Sequence, residues 1–349
     1  MTNFPIFDGH NDTLLRQHMS DDPPSFFSES STGYIDLPRA KQGGFGGGFF
    51  AVYTPNENYE VEPEDYLTEE GYDVPLPPPI SQRNALAFTN AMAARLFKLE
   101  SEANGQLKVV RTTKDLNFCL ENDILAGIFH IEGAEAIDTN FDALHILYQA
   151  GLRSLGIVWS RPNAYGEGVP FRYPSSPDTG AGLTESGKSL VRECNQLGIM
   201  IDNTHLNEKG FWDVANLTDA PLVATHSNAH TLSPIARNLT DKQLDAITES
   251  NGVAGINYAV NMLREDGGLG TDISLDEIVR HIDYIAENFG VDHVALGSDF
   301  DGTTVPDPLK DVTGLPKLLD LLKAHGFHDN ELQKITHGNW LRVLQDTWK

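Results

Sequence analysis

The sequence predicts an α/β protein that folds as a (β/α)8 barrel, and three observations support this prediction. Short apolar segments with strand character alternate with longer amphipathic segments along the chain. Eight such strand segments occur, which is the number of parallel strands in a (β/α)8 barrel. The chain has 349 residues and 40% apolar content, so it can bury a large core. We therefore expect a single barrel domain over residues 1–349.

Each predicted strand is a short apolar run that ends at, or just before, a glycine or a polar residue. In chain order the strands are Asn3–Phe7, Gly47–Tyr53, Ala126–Ile131, Ser154–Trp159, Ile199–Asn203, Leu222–Thr225, Val253–Asn257 and Val294–Gly297. The helices carry apolar residues on one face. They are predicted at Ser81–Leu99, Thr184–Leu197, Asp241–Thr248, Ser274–Phe289, Val312–His325 and Asn330–Trp348, the last of which would close the fold.

The segment Thr54–Pro79 interrupts this alternation. It is rich in acidic residues, contains the run Pro77–Pro79 and has no periodic apolar face, so it is predicted to be a long loop without regular elements. Long loops after barrel strands often cover active sites. A solvated surface excursion explains the composition equally well, and both interpretations stay open.

The charge of the chain excludes some partners. Lys and Arg number 25 against 50 Asp and Glu, which gives a formal charge of −25. Such a surface repels nucleic acid and anionic membranes, so we expect neither as a partner. The acidic excess would attract cationic substrates, or it only makes the surface well solvated. We favour the second interpretation.

Cysteine content and apolar runs indicate a cytoplasmic location. Cys119 and Cys194 are too few for a disulfide framework, and no apolar run approaches the ~20 residues needed to cross a bilayer. The first candidate site residue, His10, stands so near the initiator methionine that we expect no cleaved signal peptide. The chain also ends without the hydrophobic tail that precedes a lipid anchor.

Histidine and acidic residues stand at the carboxyl ends of five predicted strands. His10 and Asp12 follow the first strand, and as residues i and i+2 they would project to the same side. The others are Glu132, His205, His226 and Asp299. Because the carboxyl ends of parallel barrel strands meet on one face, we expect all of these side chains to converge. Imidazole and carboxylate groups together suit a divalent ion of the zinc type.

This set could hold one metal ion or two. One ion needs only three or four protein ligands. Two ions ~3.5–4 Å apart would use five ligands with a shared carboxylate. Glu132 is the natural bridge, because its carboxylate offers two oxygens. His10 and Asp12 would complete the first site, and His205 and His226 would complete the second. Asp299 would then be free to act as a base.

The motifs around these residues resemble those of a known family. They are His10-x-Asp12, Ile131-Glu132-Gly133, Asp202-x-x-His205, Thr225-His226-Ser227, Arg237-Asn238, Gly297-Ser298-Asp299-Phe300-Asp301-Gly302 and His337-Gly338-Asn339-Trp340-Leu341-Arg342-Val343. Together they resemble the renal (membrane) dipeptidase family, which consists of metallopeptidases of the amidohydrolase superfamily. The resemblance runs from about residue 5 to residue 345. It implies a (β/α)8 barrel that carries two zinc ions and hydrolyses dipeptides.

The resemblance also implies roles for individual residues. The five ligands are those named above, with Glu132 and a water or hydroxide bridging the two zinc ions. Asp299 matches the residue that accepts a proton from this water and passes it to the leaving amine. Arg237 matches the residue that binds the C-terminal carboxylate of the dipeptide. Family members often accept a D-residue at that position, and a homodimer is compatible with the family.

The chain departs from the family pattern at Trp159. Many members have a histidine there that hydrogen-bonds the substrate carbonyl or the tetrahedral intermediate. An indole N–H can donate a hydrogen bond but cannot carry charge. Asn163, Arg161 or Tyr165 could supply the missing contact, or Trp159 could be a wall of the substrate pocket, which we favour.

Other polar residues near the motifs are candidates for supporting roles. His130 lies on the same strand face as Glu132 and would either support the metal site or fill the barrel interior as a buried histidine. The remaining candidates are Asp202, Asp301 and Asp8 for orienting ligand histidines and His230 for contacting substrate.

Two other functions stay open at this point. Arg237 favours a substrate with a free carboxylate but does not separate a dipeptide from an N-acyl amino acid. An amidohydrolase acting on N-acyl amino acids or lactones is therefore the first alternative. A metal-binding interaction protein without turnover is the second, although the presence of five ligands together with Asp299 counts against it.

Overall fold

Parallel strands form the centre of the protein. The computed structural model describes residues 4–56 and 63–349. Its strands are β1 (Ile6–Asn11), β2 (Phe45–Tyr53), β3 (Tyr72–Asp73), β4 (Leu107–Val109), β5 (Leu125–Glu132), β6 (Leu152–Gly156), β7 (Arg172–Tyr173), β8 (Met200–Asp202), β9 (Val223–Ala224), β10 (Val253–Ile256) and β11 (Val294–Leu296).

Helices follow most of these strands. They are α1 (Thr13–Met19), α2 (Leu37–Gly43), α3 (Gln82–Glu102), α4 (Thr113–Glu121), α5 (Asp142–Ala150), α6 (Glu185–Leu197), α7 (Glu208–Leu217), α8 (Asp241–Glu249), α9 (Val260–Leu263), α10 (Asp276–Asn288), α11 (Leu315–Ala324), α12 (Asp329–Gln333) and α13 (Asn339–Thr347). Among the described residues, no helix has both the length and the apolar character that a bilayer span requires.

Eight of the strands form one parallel sheet in the order β1-β2-β5-β6-β8-β9-β10-β11. The short strand β4 pairs with the first residues of β5. Alternation of parallel strands with helices is the pattern of a (β/α)8 barrel, and this confirms the fold class predicted from the sequence.

The last strand segment returns to the first and nearly closes the barrel. Asn11 and Phe300 form a parallel bridge. The backbone N–H of Asp299 donates to the carbonyl of His10 at 3.0 Å. The Asp8 carboxylate accepts hydrogen bonds from the backbone N–H of Ser298 at 2.7 Å and from its hydroxyl at 2.8 Å. Asp8, predicted to orient a ligand histidine, therefore ties β1 to the end of β11.

The tryptophan of the closing helix packs against this sheet. Trp340 of α13 is fully buried, and its indole N–H donates to the carbonyl of Leu296 in β11 at 3.1 Å. Its ring lies 5.3 Å from that of Phe49 in β2. Gly9 in β1 makes room for it, because a Cβ there would lie 2.6 Å from Trp340 Cζ2 and 2.3 Å from the carbonyl oxygen of Thr225.

Local sequence explains where the helices begin. The Ser81 hydroxyl accepts a hydrogen bond from the backbone N–H of Asn84 at the start of α3. Thr240 and Gln243 form a reciprocal capping box at the start of α8. These caps satisfy N–H groups that have no partner within the helix, so short polar connections are enough to start these two helices.

The eight barrel strands lie where the sequence predicts them, but some bounds differ. The predicted strand Asn3–Phe7 is Ile6–Asn11 in the structure, with Asn3 outside the described residues, so His10 lies inside the strand. The predicted helix Asn330–Trp348 is divided into α12 and α13 by a π-helical turn at Lys334–Gly338. The sequence did not predict β4, whose three residues are too few for a periodic pattern.

The prediction that Thr54–Pro79 is a long loop holds for most of the described residues of the segment, with two short exceptions. The segment contains a 3-10 turn at Pro63–Tyr66 and the strand β3, which pairs antiparallel with β7. A two-residue strand has no detectable sequence period, and its partner lies about a hundred residues away in the chain. Three of the acidic residues in this segment, Glu57, Glu60 and Glu62, lie outside the described residues.

Candidate metal centre

Six side chains meet at the carboxyl end of the barrel. His10 lies near the end of β1, Asp12 directly follows that strand, and Glu132 is the last residue of β5. The other three follow β8, β9 and β11 and are His205, His226 and Asp299. Asp299 is partly exposed and the rest are buried. The fold therefore brings together all six residues that were predicted to converge.

Three imidazoles surround one carboxylate oxygen. Glu132 Oε1 lies 2.9 Å from His205 Nε2, 3.4 Å from His226 Nε2 and 3.8 Å from His10 Nε2. Asp12 Oδ2 lies 3.2 Å from His10 Nε2. Two overlapping groups have ligand atoms within 4.8 Å of one another, and both include His10. They are His10, Glu132 and His226, and His10, Asp12 and Asp299.

This donor set fits divalent metal ions. Among the described residues, Asp12 Oδ1 and His10 Nδ1 are buried without a hydrogen-bond partner. Burial raises the pKa of Glu132 to about 8, a shift that His10 opposes. Burial alone would lower the pKa of His10, but the carboxylates of Glu132 and Asp12 outweigh it and raise that pKa to about 10. The carboxylates are crowded and hold their protons strongly. Their ionised form needs nearby positive charge, which a divalent cation supplies.

Hydroxyl groups orient two of the histidines. The Thr225 hydroxyl lies 2.6 Å from Asp202 Oδ2 and 2.8 Å from His226 Nδ1. The hydroxyl has one proton, which it donates to Asp202, so it accepts a hydrogen bond from the Nδ1–H group of His226. This tautomer leaves His226 Nε2 with a free lone pair for a metal. Ser160 Oγ lies 2.9 Å from His205 Nδ1 and can hold that ring in the same way.

Backbone conformation also sets the direction of two of these side chains. His205 has φ 68° and Asp299 has φ 60°, both in the left-handed region. A non-glycine residue in this region stores strain of order 1 kcal/mol or more, which the surrounding structure must offset. This backbone conformation places each side chain at the carboxyl end of the barrel, where the other predicted ligands lie.

Asn257 holds the Asp299 carboxylate in position. Its Nδ2 donates to Asp299 Oδ2 at 2.8 Å. Burial raises the pKa of Asp299 to about 6, His10 lowers it, and the nearby carboxylate of Asp12 raises it further. Asn257 was not predicted to have a role. It is nevertheless a polar residue at the end of a predicted strand, and Glu132 and His226 directly follow the ends of theirs. That position was the available signal.

Arg237 offers unpaired donors beside the cluster. The side chain is buried, and Nη2 makes a long hydrogen bond of 3.5 Å to the carbonyl of His226. Its Nε and Nη1 have no hydrogen-bond partner among the described residues. Burial lowers the pKa of Arg237 to about 10, while Asp299 and Glu132 oppose this shift, so the guanidinium stays charged at neutral pH. A buried cation with free N–H groups favours an anionic ligand.

A cavity of about 280 Å³ opens onto these groups. Its lining includes the predicted residues Asp12, Glu132, Trp159, His205, His226, Arg237 and Asp299. The Trp159 ring lies 5.0 Å from that of Tyr53, 5.6 Å from that of Phe171 and 5.8 Å from that of His205. Trp159 therefore forms a wall of the cavity, within an aromatic group that sequence analysis had not identified.

The predicted residues Asn163 and His230 lie outside this cavity and have local partners. Asn163 Nδ2 donates to the carbonyl of Ile157 at 2.8 Å, and its Oδ1 accepts the backbone N–H of Tyr165 at 2.8 Å. His230 Nε2 lies 2.9 Å from the carbonyl of Ser175.

Asp301 contacts helix α1 and the backbone of Tyr34 rather than a ligand histidine. It accepts hydrogen bonds from the Thr13 hydroxyl at 3.0 Å and the Tyr34 backbone at 2.7 Å, and it pairs with Arg16 at 3.2 Å.

His130 and Asp202 lie next to the ligands. His130 is fully buried, and its Nδ1 lies 2.8 Å from Ser154 Oγ. Its ring packs edge-on against that of His10 at 5.6 Å. Burial lowers the pKa of His130 to about 3, so it is neutral. Its position fits both of the predicted alternatives, because it fills the barrel interior and also packs directly against a ligand.

Comparisons with known proteins identify the family of this chain. A model of the membrane dipeptidase family (peptidase family M19) matches residues 1–349. A metallo peptidase from Rhodobacter sphaeroides, liganded with a phosphinate mimic of the dipeptide L-Ala-D-Ala, is 48% identical, with a TM-score of 0.94 and coverage of 99% of both chains.

Two curated proteins extend the comparison. An uncharacterized protein from the region 5′ of pqqA in Klebsiella pneumoniae is 48% identical over 256 residues, which are 73% of this chain and 94% of that protein. The dipeptidase tcpJ of Claviceps purpurea is 25% identical over 344 residues, 97% of this chain and 76% of that protein. The chain therefore belongs to the membrane dipeptidase family, peptidase family M19, and is a metallo-dipeptidase of that family.

Proposed function

We propose that this metallo-dipeptidase uses two zinc ions to hydrolyse dipeptides that have a free C-terminal carboxylate. One observation carries the proposal. Glu132 Oε1 stands among three imidazole Nε2 atoms, within the cavity that also contains the free donors of Arg237. The family match over residues 1–349 supports a single catalytic domain.

Two groups of ligands would share Glu132. His10, Asp12 and Glu132 would hold one ion, and Glu132, His205 and His226 the other. Zinc bound there would polarise the scissile carbonyl and lower the pKa of a coordinated water toward neutrality. The histidines are suited to this task because Thr225 and Ser160 engage their Nδ1 atoms and leave Nε2 for the metal.

Asp299 would move the proton during hydrolysis. The carboxylate takes a proton when water attacks the peptide carbonyl and then delivers it to the departing amine nitrogen. Two features support this role. Asn257 fixes the carboxylate through Oδ2, and burial keeps the pKa of Asp299 at about 6, close to the pH at which accepting and donating are both favourable.

Arg237 would recognise the substrate carboxylate. A guanidinium presents a planar set of donors that matches a carboxylate with two parallel hydrogen bonds. A residue inside a longer peptide has no such carboxylate, so this contact selects dipeptides. A D-residue at the C-terminal position is part of the proposal, and the support is the L-Ala-D-Ala mimic bound by the Rhodobacter relative.

A panel of substrates with added zinc tests the proposal. L,L- and L,D-dipeptides, their C-terminal amides, N-acetyl amino acids and lactones would be compared, and zinc would be counted in the active protein. We expect turnover of dipeptides with a free carboxylate and two zinc ions per chain. Turnover of the N-acetyl compounds or lactones alone would instead favour the broader amidohydrolase alternative. One ion per chain at full activity would contradict the bridging role of Glu132.

Metal binding without turnover of any compound would favour the second alternative, a metal-binding interaction protein that is not an enzyme.

A further inference from the structure

A second, smaller cavity opens beside the substrate cavity. Its volume is about 100 Å³. The two cavities share Tyr53, Val74, Trp159 and Phe171, so they are neighbours separated by these side chains. The rest of the smaller cavity, called here the side pocket, is lined by Pro55, Asn56, Pro75, Leu76, Pro77 and Ser160.

The ribbon formed by β3 and β7 builds one wall of the side pocket. Tyr72 pairs with Tyr173, and the backbone N–H of Val74 donates to the carbonyl of Phe171 at 2.9 Å. These bonds place Val74 and Phe171 next to each other at the border of the two cavities. The chain then continues through Pro75-Leu76-Pro77, where each proline fixes its φ angle. The wall is therefore formed before any ligand arrives.

The side pocket suits an apolar group. Among the described residues that line it, none has an ionised side chain. Two of its polar side chains already have partners. Asn56 accepts from Arg161 at 2.9 Å and donates to the carbonyl of Pro78 at 2.7 Å. Ser160 is engaged by His205. A charged group entering this space would lose hydration and would meet no ionised side chain among those that line it.

The position of the side pocket indicates which residue of a bound dipeptide lies next to it. Arg237 and Asp299 line the main cavity but not the side pocket. A dipeptide with its carboxylate on Arg237 and its scissile bond at Glu132 has its C-terminal residue on the Arg237 side. Its N-terminal residue then lies toward Trp159, which is the border of the side pocket.

We propose that the side pocket binds the side chain of the N-terminal residue and selects small aliphatic side chains, up to the size of leucine. The volume supports a small side chain, because the side pocket, at about 100 Å³, has little more than a third of the volume of the main cavity, at about 280 Å³. This inference rests on the proposed dipeptidase function. It makes Leu76 and Trp159 specificity-determining residues.

A size series at the N-terminal position tests the inference. The zinc-loaded wild-type protein would be assayed with Gly-D-Ala, L-Ala-D-Ala, L-Leu-D-Ala, L-Phe-D-Ala and L-Glu-D-Ala. We expect kcat/KM to rise by about tenfold or more from glycine to leucine, because each buried methylene contributes to binding. We expect it to fall again for phenylalanine and glutamate.

Two substitutions of Leu76 change the size of the pocket in opposite directions. Leu76→Phe should lower kcat/KM for L-Leu-D-Ala by about tenfold and leave Gly-D-Ala within about twofold. Leu76→Ala should raise the rate with L-Phe-D-Ala relative to L-Leu-D-Ala, so it tests the pocket even when the larger residue prevents folding. The control is Leu67→Ala, because Leu67 lies in the same loop, is 66% exposed and lines neither cavity.

The outcomes separate this inference from the proposed function. A wild-type protein that cleaves none of the dipeptides contradicts both. A protein that cleaves them with no dependence on the N-terminal side chain keeps the function and overturns the side pocket. An equal loss for glycine and leucine substrates in Leu76→Phe, or no loss for either, would also overturn it.

Discussion

Replacing Thr225 with valine tests whether the hydroxyl between Asp202 and His226 prepares the metal site. Valine has nearly the same shape as threonine but lacks the hydroxyl. The change removes the 2.6 Å hydrogen bond to Asp202 Oδ2 and the 2.8 Å contact with His226 Nδ1. Asp202 keeps the backbone N–H groups of Thr204 at 3.0 Å and of residue 225 at 2.9 Å. His226 Nδ1 would be left buried without its partner.

The size of the effect follows from these two losses. A hydrogen bond to a charged group contributes about 1.5–3 kcal/mol, and a buried donor without a partner costs about 1–3 kcal/mol. The losses overlap, so we expect the free energy of unfolding to fall by about 2–4 kcal/mol. Zinc affinity should fall by about 10- to 100-fold, because His226 no longer has a fixed tautomer and ring orientation.

Chelator competition would measure zinc affinity, and denaturant unfolding would measure stability. The matched control is Thr347→Val, because Thr347 is also a buried threonine and its hydroxyl donates to the carbonyl of Val343 within α13, at 2.6 Å. We expect this control to keep its zinc affinity and to lose no more than about 1 kcal/mol. Equal zinc affinity in Thr225→Val and Thr347→Val would refute the reasoning.

Three further predictions concern separate parts of the protein. Asp299→Asn should keep both zinc ions while kcat falls by about 10²–10⁴-fold, and an unchanged kcat would remove Asp299 from proton transfer. Arg237→Met should raise KM for dipeptides about tenfold or more but leave turnover of their C-terminal amides nearly unchanged; an equal loss for both classes would contradict carboxylate recognition. His281 is buried, which lowers its pKa to about 4, and it stays neutral while bonded to Leu263 and Ala229. The unfolded chain binds this proton below about pH 6.5, so stability falls as the pH falls, by about 2 kcal/mol from pH 7 to 5. His281→Asn should reduce this slope in denaturant titrations, and an unchanged slope would assign the loss to other groups.

The ligand positions were predictable because a parallel barrel converts sequence order into spatial proximity. Each predicted ligand follows a short apolar strand, and all such strands end on the same face. A shift of several residues in the bounds of β1 did not matter, since His10 and Asp12 keep their spacing whichever residue ends the strand. A prediction of which residues lie together at the strand ends therefore stays correct when the predicted strand bounds are wrong by several residues.

Loop residues were predicted less well because their partners are local and leave no period in the sequence. Asp301 stands within a family motif, yet its side chain joins helix α1 to the backbone of Tyr34. Asn163 was considered as a substitute for the histidine missing at position 159, yet its side chain bonds the backbone of its own loop. Asn257 was passed over although it contacts Asp299. A polar residue in a loop can face inward or satisfy its own turn, and only the backbone path decides which.

The sequence by itself determined the alternation of strands and helices, the residue types at the strand ends, and through them the family. Those features depend on neighbours in the chain and on spacing, which sequence contains. The tertiary structure alone decided which side chains touch. The Thr225 hydroxyl between Asp202 and His226 and the ribbon of β3 and β7 beside Trp159 join segments far apart in the chain. The left-handed backbone of His205 and Asp299 is local, but it persists only because the surrounding structure offsets its strain. Such contacts depend on packing, because the energy of a hydrogen bond or a buried ring is set by partners that chain order does not reveal.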